Sequence, residues 1–170
     1  MHVFLTGAIR TGKSTIIERF ISLGGFAAGG FRTSWQPDGT GGENLLLLPF
    51  ASGQTDGTDN RAAHRTQKDL TVYPEIFDRL GPLLLADNEK YPLTVMDELG
   101  FMESRSPLFQ AAVMRCLDSP AHVLGVIRAR PTPFLDQIRN RPGTVLLTVG
   151  PDNHEKVLKR LTELFKEIVI

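Results

Sequence analysis

Cysteine is nearly missing: Cys116 is the only one in 170 residues. That rules out an internal disulfide and a multi-cysteine zinc site, and it fits a reducing, cytoplasmic location. An excess of one charge is missing too, since 19 Lys+Arg meet 19 Asp+Glu for a formal net charge of +0. Nucleic acid and anionic membranes are therefore not expected partners. No apolar run approaches the roughly 18 to 20 residues of a membrane span; the strongest, Leu45 to Phe50 and Val123 to Ile127, are strand-sized. The apolar stretch Val3 to Leu5 is too short for a signal-peptide core, position 2 is not glycine, and residues 165–170 hold no prenylation cysteine. We therefore expect neither leader nor lipid anchor. The four histidines have no metal-site spacing. Repeats, low-complexity tails and linkers are also lacking, so one domain over residues 1–170 is expected. A chain of 18.8 kDa buries roughly 70% of its unfolded surface and needs no staple.

What is present alternates between two periods. Met1 to Thr6 reads as a strand. Lys13 to Leu23 reads as a helix, with Ile16, Ile17, Phe20 and Leu23 on one stripe and Gly24-Gly25 as its stop. Strand-like pieces at Phe31 to Trp35 and Asn44 to Phe50, separated by Pro37-Asp38-Gly39-Thr40-Gly41-Gly42, predict an antiparallel hairpin. Ala51 to Arg65 has no period and is expected to be a long loop. Helices are expected from Tyr73 to Asp87, Pro107 to Leu117 and Asp152 to Ile168. Buried strands are expected at Leu93 to Met96, His122 to Ile127 and Val145 to Val149. This alternation predicts an α/β domain: a mostly parallel sheet with helices on both faces and a hairpin added.

Between the first strand and the first helix stands Gly7-Ala8-Ile9-Arg10-Thr11-Gly12-Lys13-Ser14, followed by Thr15. Glycine, four residues, then Gly-Lys-Ser is the pattern of a phosphate cradle. Glycines let backbone N–H groups turn toward phosphate oxygens, and the helix behind them aims its positive dipole end at the same point. Lys13 would reach the β- and γ-phosphates of a nucleoside triphosphate, and the Ser14 hydroxyl would ligate the Mg²⁺ that bridges them. Further on, Leu93-Thr94-Val95-Met96 runs into Asp97-Glu98, which puts two carboxylates at the C-terminal end of a buried strand, where α/β sheets carry their ligands. Asp97 suits the Mg²⁺ hydration shell. Glu98 suits the water that attacks the γ-phosphate. Glu103 either joins them or belongs to the loop before the next helix.

In order along the chain, Met1 to Thr15, Gly29-Gly30-Phe31-Arg32-Thr33, Asp97-Glu98-Leu99-Gly100-Phe101-Met102-Glu103 and Pro133-Phe134-Leu135-Asp136-Gln137-Ile138 resemble the small P-loop nucleoside-triphosphatases. That family includes the cancer-related nucleoside triphosphatase and its thermophile relatives. The resemblance covers most of the chain, and its most specific element is Asp97 to Glu103. It implies a RecA-like core and Mg²⁺-dependent hydrolysis of ATP, GTP and other nucleoside triphosphates. The family's loop usually reads Gly-Pro-Pro-Gly-Val-Gly-Lys-Thr, whereas here Ala8-Ile9 replace the prolines and Arg10 replaces the glycine that follows them. Ser34-Trp35 also follow the Gly-Gly-Phe run, where the family usually has a glutamate-bearing strand.

Arg128 and Arg130, after the strand His122 to Ile127, are candidates for the arginine that neutralises charge on the transferred phosphate, with Arg128 preferred. Arg10, Arg139, Arg141, Arg32 and Arg61 extend the choice. His64 and His154 read as surface residues and Cys116 as core. Trp35 reads as packing or as a stacking surface for a base. Two other functions remain open on the sequence: a phosphotransferase whose arginines close over a second substrate, and a nucleotide-switched adaptor with little turnover.

Overall fold

In chain order the elements are β1 (His2–Thr6), α1 (Lys13–Gly24), β2 (Ala28–Pro37), β3 (Glu43–Pro49), β4 (Arg61–Arg65), β5 (Leu70–Val72), α2 (Pro74–Leu85), β6 (Leu93–Leu99), α3 (Pro107–Asp118), β7 (Val123–Ile127), α4 (Pro133–Arg139), β8 (Thr144–Thr148) and α5 (His154–Leu164). They come from a computed structural model that describes residues 1–52 and 59–169. All the strands belong to one eight-stranded sheet in the order β5-β4-β3-β2-β6-β7-β1-β8. From β2 to β8 every neighbouring pair is parallel. From β2 outward through β3, β4 and β5 every pair is antiparallel.

The expected helices on both faces are present, and strand alternation decides which residue meets which helix. Val3, Leu5, Val95, Leu124 and Val126 pack with Ile16, Ile17 and Phe20 of α1 and with Val157, Leu158 and Leu161 of α5. Their neighbours Phe4, Met96, Val123 and Ile127 point to the other face, against Phe77 of α2, Phe109 and Val113 of α3, and Leu135 and Ile138 of α4. Cys116 lies in this second core, as the sequence indicated. Strands buried on both sides read as unbroken apolar runs because they have no wet face.

The hairpin forms as expected, with Phe31 to Pro37 of β2 in register with Pro49 to Glu43 of β3. The reading of Ala51 to Arg65 as one loop is corrected, because Arg61–Arg65 is a strand paired with β3, and a further strand, Leu70–Val72, pairs with it. Within that expected loop, residues 53–58 lie outside the described residues. Arg-Ala-Ala-His-Arg has no β-branched or aromatic residue to mark it as a strand. Its place is set by neighbours: Ala62 and Ala63 are fully buried beneath the sheet's apolar partners. The segment Pro133 to Ile138, taken only as a motif, is the helix α4, started by Thr132, whose hydroxyl accepts the Leu135 N–H at 3.2 Å.

Candidate active site

The loop between β1 and α1 holds its shape through left-handed backbone. Gly7 has φ 128° and Gly12 φ 82°. A Cβ on Gly7 would lie 2.4 Å from the Val149 carbonyl oxygen, and one on Gly12 would lie 2.7 Å from the His154 ring. Both glycines are therefore required by conformation and by space. Arg10 also has positive φ, 59°. That left-handed conformation goes against the preference of an L side chain and is one that glycine adopts freely.

His154, read from the sequence as a surface residue, is instead half-buried at the start of α5. Its Nε2 lies 2.7 Å from the Thr11 carbonyl oxygen, so the imidazole N–H donates to the loop from below. No local signal marks this histidine. It reaches the loop only because β8 pairs beside β1.

Residues Gly7 and Ile9 to Thr15 line one cavity of about 230 Å³ together with Glu98, Val126 and Arg128. Ala8 does not line it but contributes its carbonyl: Lys13 Nζ donates to the oxygens of Ala8 at 2.6 Å and Gly7 at 3.3 Å, and to Thr11 Oγ1 at 3.2 Å. The ammonium is thus folded back on its own loop. Burial lowers its pKa from the ordinary lysine value; the Arg128 charge works in the same direction, while Glu98 and Asp97 oppose both.

Asp97 and Glu98 lie at the end of β6, as expected. Asp97 stands opposite Arg32 of β2 and Val126 of β7. It is not part of the cavity wall. Burial pushes its carboxyl up to about 6, with the Glu98 charge adding to the rise, while hydrogen bonding by Ser14 and the charge of Arg32 pull it down. The register between β6 and β7 shifts between Asp97 and Leu99, so Glu98 is the extra residue of a bulge. Bulges re-aim side chains. Here the Glu98 carboxylate faces the cavity, where its Oε1 takes both Nε and Nη2 of Arg128 at 2.6 Å.

Among the arginines, Arg128 alone shares this wall with Arg10. Arg139 donates to the Arg128 carbonyl and pairs with Asp136 at 2.7 Å, and so shapes the loop after β7. Arg141 binds the Leu117 carbonyl and Asp118. Arg130 lies 5.2 Å from the Phe101 ring, and Arg61 lies 5.4 Å from that of Tyr73. Arg32 pairs with Glu18 at 3.1 Å and covers the Phe50 ring.

Glu103 resolves to the connecting segment, on a short turn at Met102–Arg105. It is only 2% exposed, and its Oε2 accepts the Gly100 N–H at 2.9 Å. Burial pushes its carboxyl up to about 7. The bond ties down the turn that follows β6 and Glu98. His64, the other histidine read as a surface residue, is half-buried on β4 and lies 2.8 Å from Asp38.

Among the described residues, no group of three or more His, Cys, Asp or Glu could hold a metal, and no helix is long and apolar enough to cross a membrane. Ser14 and Asp97 together still suit a magnesium ion, which takes few protein ligands and keeps its water and phosphate oxygens. A buried carboxylate held near neutrality beside a hydroxyl gains its charge when a cation arrives.

The chain is also similar to known proteins over nearly its whole length. It is 28% identical over 170 residues to the nucleoside-triphosphatase THEP1 of Thermotoga maritima, covering 98% of this chain and 96% of that protein. It is 29% identical over 177 residues to the human cancer-related nucleoside-triphosphatase, covering 92% of each. The crystal structure of THEP1 from the hyperthermophile Aquifex aeolicus superposes with a TM-score of 0.75 at 23% identity, over 98% of this chain and 99% of that one, and shares the P-loop fold. The family described as NTPase matches residues 2–162. With that match spanning the loop, the acidic strand end and Arg128, the chain belongs to the NTPase family, the small P-loop nucleoside-triphosphatases, enzymes that hydrolyse nucleoside triphosphates.

Proposed function

We propose that the chain hydrolyses nucleoside 5'-triphosphates, ATP and GTP among them, to the diphosphate and phosphate in a Mg²⁺-dependent reaction at the cavity between the β1–α1 loop and Glu98. The observation that carries this reading is that one cavity is lined by the loop, Lys13, Glu98 and Arg128. The backbone N–H groups of Gly7 to Thr15 and the start of α1 hold the phosphates. Lys13 exchanges the Ala8 and Gly7 carbonyls for β- and γ-phosphate oxygens, which are stronger partners for an ammonium. Ser14 and Asp97 are the residues that hold the metal. Magnesium, when bound, neutralises charge on the bridging phosphate oxygens.

Arg128 and Glu98 restrain each other without substrate. A γ-phosphate beside Arg128 competes for its guanidinium and frees the Glu98 carboxylate to orient a water or accept its proton. Arg128 then meets the charge that builds on the departing phosphoryl oxygens. A cytoplasmic setting belongs to the same proposal and rests on the lone Cys116.

The test is phosphate release from ATP, GTP, CTP and UTP with Mg²⁺ and no acceptor. Release from several triphosphates is expected. Lys13→Ala should abolish nucleotide binding or turnover, and Glu98→Gln should keep binding while lowering turnover about 10²-fold or more. Measurable binding with no release by the unaltered chain would sink the reading, and full turnover in Glu98→Gln would remove Glu98 from the mechanism.

A further inference from the structure

A second cavity, of about 360 Å³, adjoins the first and shares Arg128 with it. It lies within the roughly 300–1,000 Å³ of small-molecule sites. Its walls come from elements that the phosphate cradle does not use. Trp35 stands on β2 beyond Arg32, the last residue of that strand paired with β6. Arg65 and Lys68 come from the end of β4 and the turn after it. Phe101 and Met102 follow Glu98 by way of Leu99 and Gly100.

The chemistry of this lining is specific. The Arg65 guanidinium lies 4.0 Å from the centre of the Trp35 ring and is held by Glu43 at 2.7 Å. A guanidinium plane backed by an indole is a stacking surface for a flat ring. Phe101, on the same wall, is 36% exposed. Lys68 and Asp69 line the cavity together with Arg65 and Arg128, which are already paired with Glu43 at 2.7 Å and Glu98 at 2.6 Å. The turn that presents Lys68 is fixed, because Thr66 Oγ1 accepts the N–H of Lys68 at 3.2 Å and of Asp69 at 3.1 Å. Flat aromatic surface, the ammonium of Lys68 with two guanidinium groups that can turn from carboxylate to phosphate, and this volume together fit a planar aromatic ligand that carries a phosphate.

We propose that this cavity is a second ligand site, taking a nucleoside monophosphate with its base on the Trp35–Arg65 platform and beside Phe101 and its phosphate toward Lys68 and Arg128. The ligand would then stand on the side of the nucleotide cavity occupied by Glu98 and Arg128. That placement beside the terminal phosphate rests on the reading of Arg128 given above; the binding itself does not.

Trp35 is the chain's only tryptophan, so its emission reports this cavity directly. Binding of a non-hydrolysable ATP analogue with Mg²⁺ is measured first. AMP, GMP, CMP and UMP are then titrated up to about 10 mM into the analogue-loaded chain, with calorimetry alongside so that a silent fluorophore does not decide the result. At least one monophosphate should saturate with a Kd below about 1 mM, and exposed Lys68 changed to glutamate (Lys68→Glu) should weaken it about tenfold or more while leaving analogue binding unchanged. No saturable signal by either method for any of the four, or an unchanged Kd in Lys68→Glu, would overturn the site. Because the titration involves no turnover, its failure leaves the hydrolysis reading standing, and absent phosphate release leaves this one standing.

Discussion

The two parts of the sheet are built on opposite terms. From β2 to β8 the strands are parallel, with the inner strands β6, β7 and β1 buried by helices on both faces and β8 left as a partly exposed edge where a buried strand was expected. The loops after β1, β6 and β7 meet at the cavity that holds Lys13, Glu98 and Arg128. From β3 to β5 the strands are antiparallel, and much of what holds their exposed side is polar: Glu43 to Arg65 at 2.7 Å, Asp38 to His64 at 2.8 Å, and Arg65 over Trp35. Parallel strands need crossovers, so their ends gather loops and helix N-termini, while antiparallel strands need only short turns. The lesson is a division of labour. Parallel packing makes the place where phosphate chemistry can occur, and the antiparallel addition builds a wall beside it.

That division is breakable by experiment. In the parallel part, Arg128→Ala should lower phosphate release at saturating nucleotide and Mg²⁺ about 10³-fold, the scale of a lost transition-state arginine. Turnover within threefold of the unaltered chain would reduce the Glu98–Arg128 pair to a structural contact and erase the contrast between the two regions.

A sharper test concerns what the parallel part costs. Glu103 has a folded-state pKa of about 7 against an ordinary 4.5, so between those values the folded chain binds more protons than the unfolded one. Stability therefore falls as pH rises from about 4.5 to about 7, by up to about 3 kcal/mol from this residue. Glu103→Gln keeps an acceptor for the Gly100 N–H and should flatten that fall. Urea unfolding at both ends of the window reads it, and equal slopes in the two proteins would exclude Glu103 as the source.

The smallest effect is expected in the antiparallel part. Glu43→Gln removes a pair whose side chains are 40% and 42% exposed, so the loss should be below about 1 kcal/mol with phosphate release unchanged. A loss of several kcal/mol would mean that the two parts are not energetically separate.

How legible each part was follows from the same contrast. Val3 to Leu5, Leu93 to Met96 and Val123 to Ile127 are apolar runs of strand length, so burial on both faces was written in the chain. β4 was not, because alanines under a sheet edge carry no period of their own and depend on β3 to be placed. In the candidate site, Gly7, Gly12, Lys13, Ser14, Asp97 and Glu98 were readable because their types and spacing are constrained by phosphate and metal chemistry. The choice of Arg128 over Arg130, Arg139 and Arg141 had a sequence preference but no decisive signal. All four are engaged, Arg128 with Glu98 and the others with Phe101, Asp136 and Asp118, and what separates Arg128 is that it lines the cavity beside Lys13.

By itself the sequence determined the alternating α/β layout, the phosphate-cradle loop and the acidic strand end, because each is set by local period or by residues adjacent in the chain. Tertiary structure alone decided that His154 supports Thr11 from a helix far along the sequence, that a bulge turns Glu98 toward Arg128, and that Trp35 and Arg65 share a cavity wall with Arg128. These contacts join residues distant in the chain, and only strand pairing and burial bring their side chains within reach.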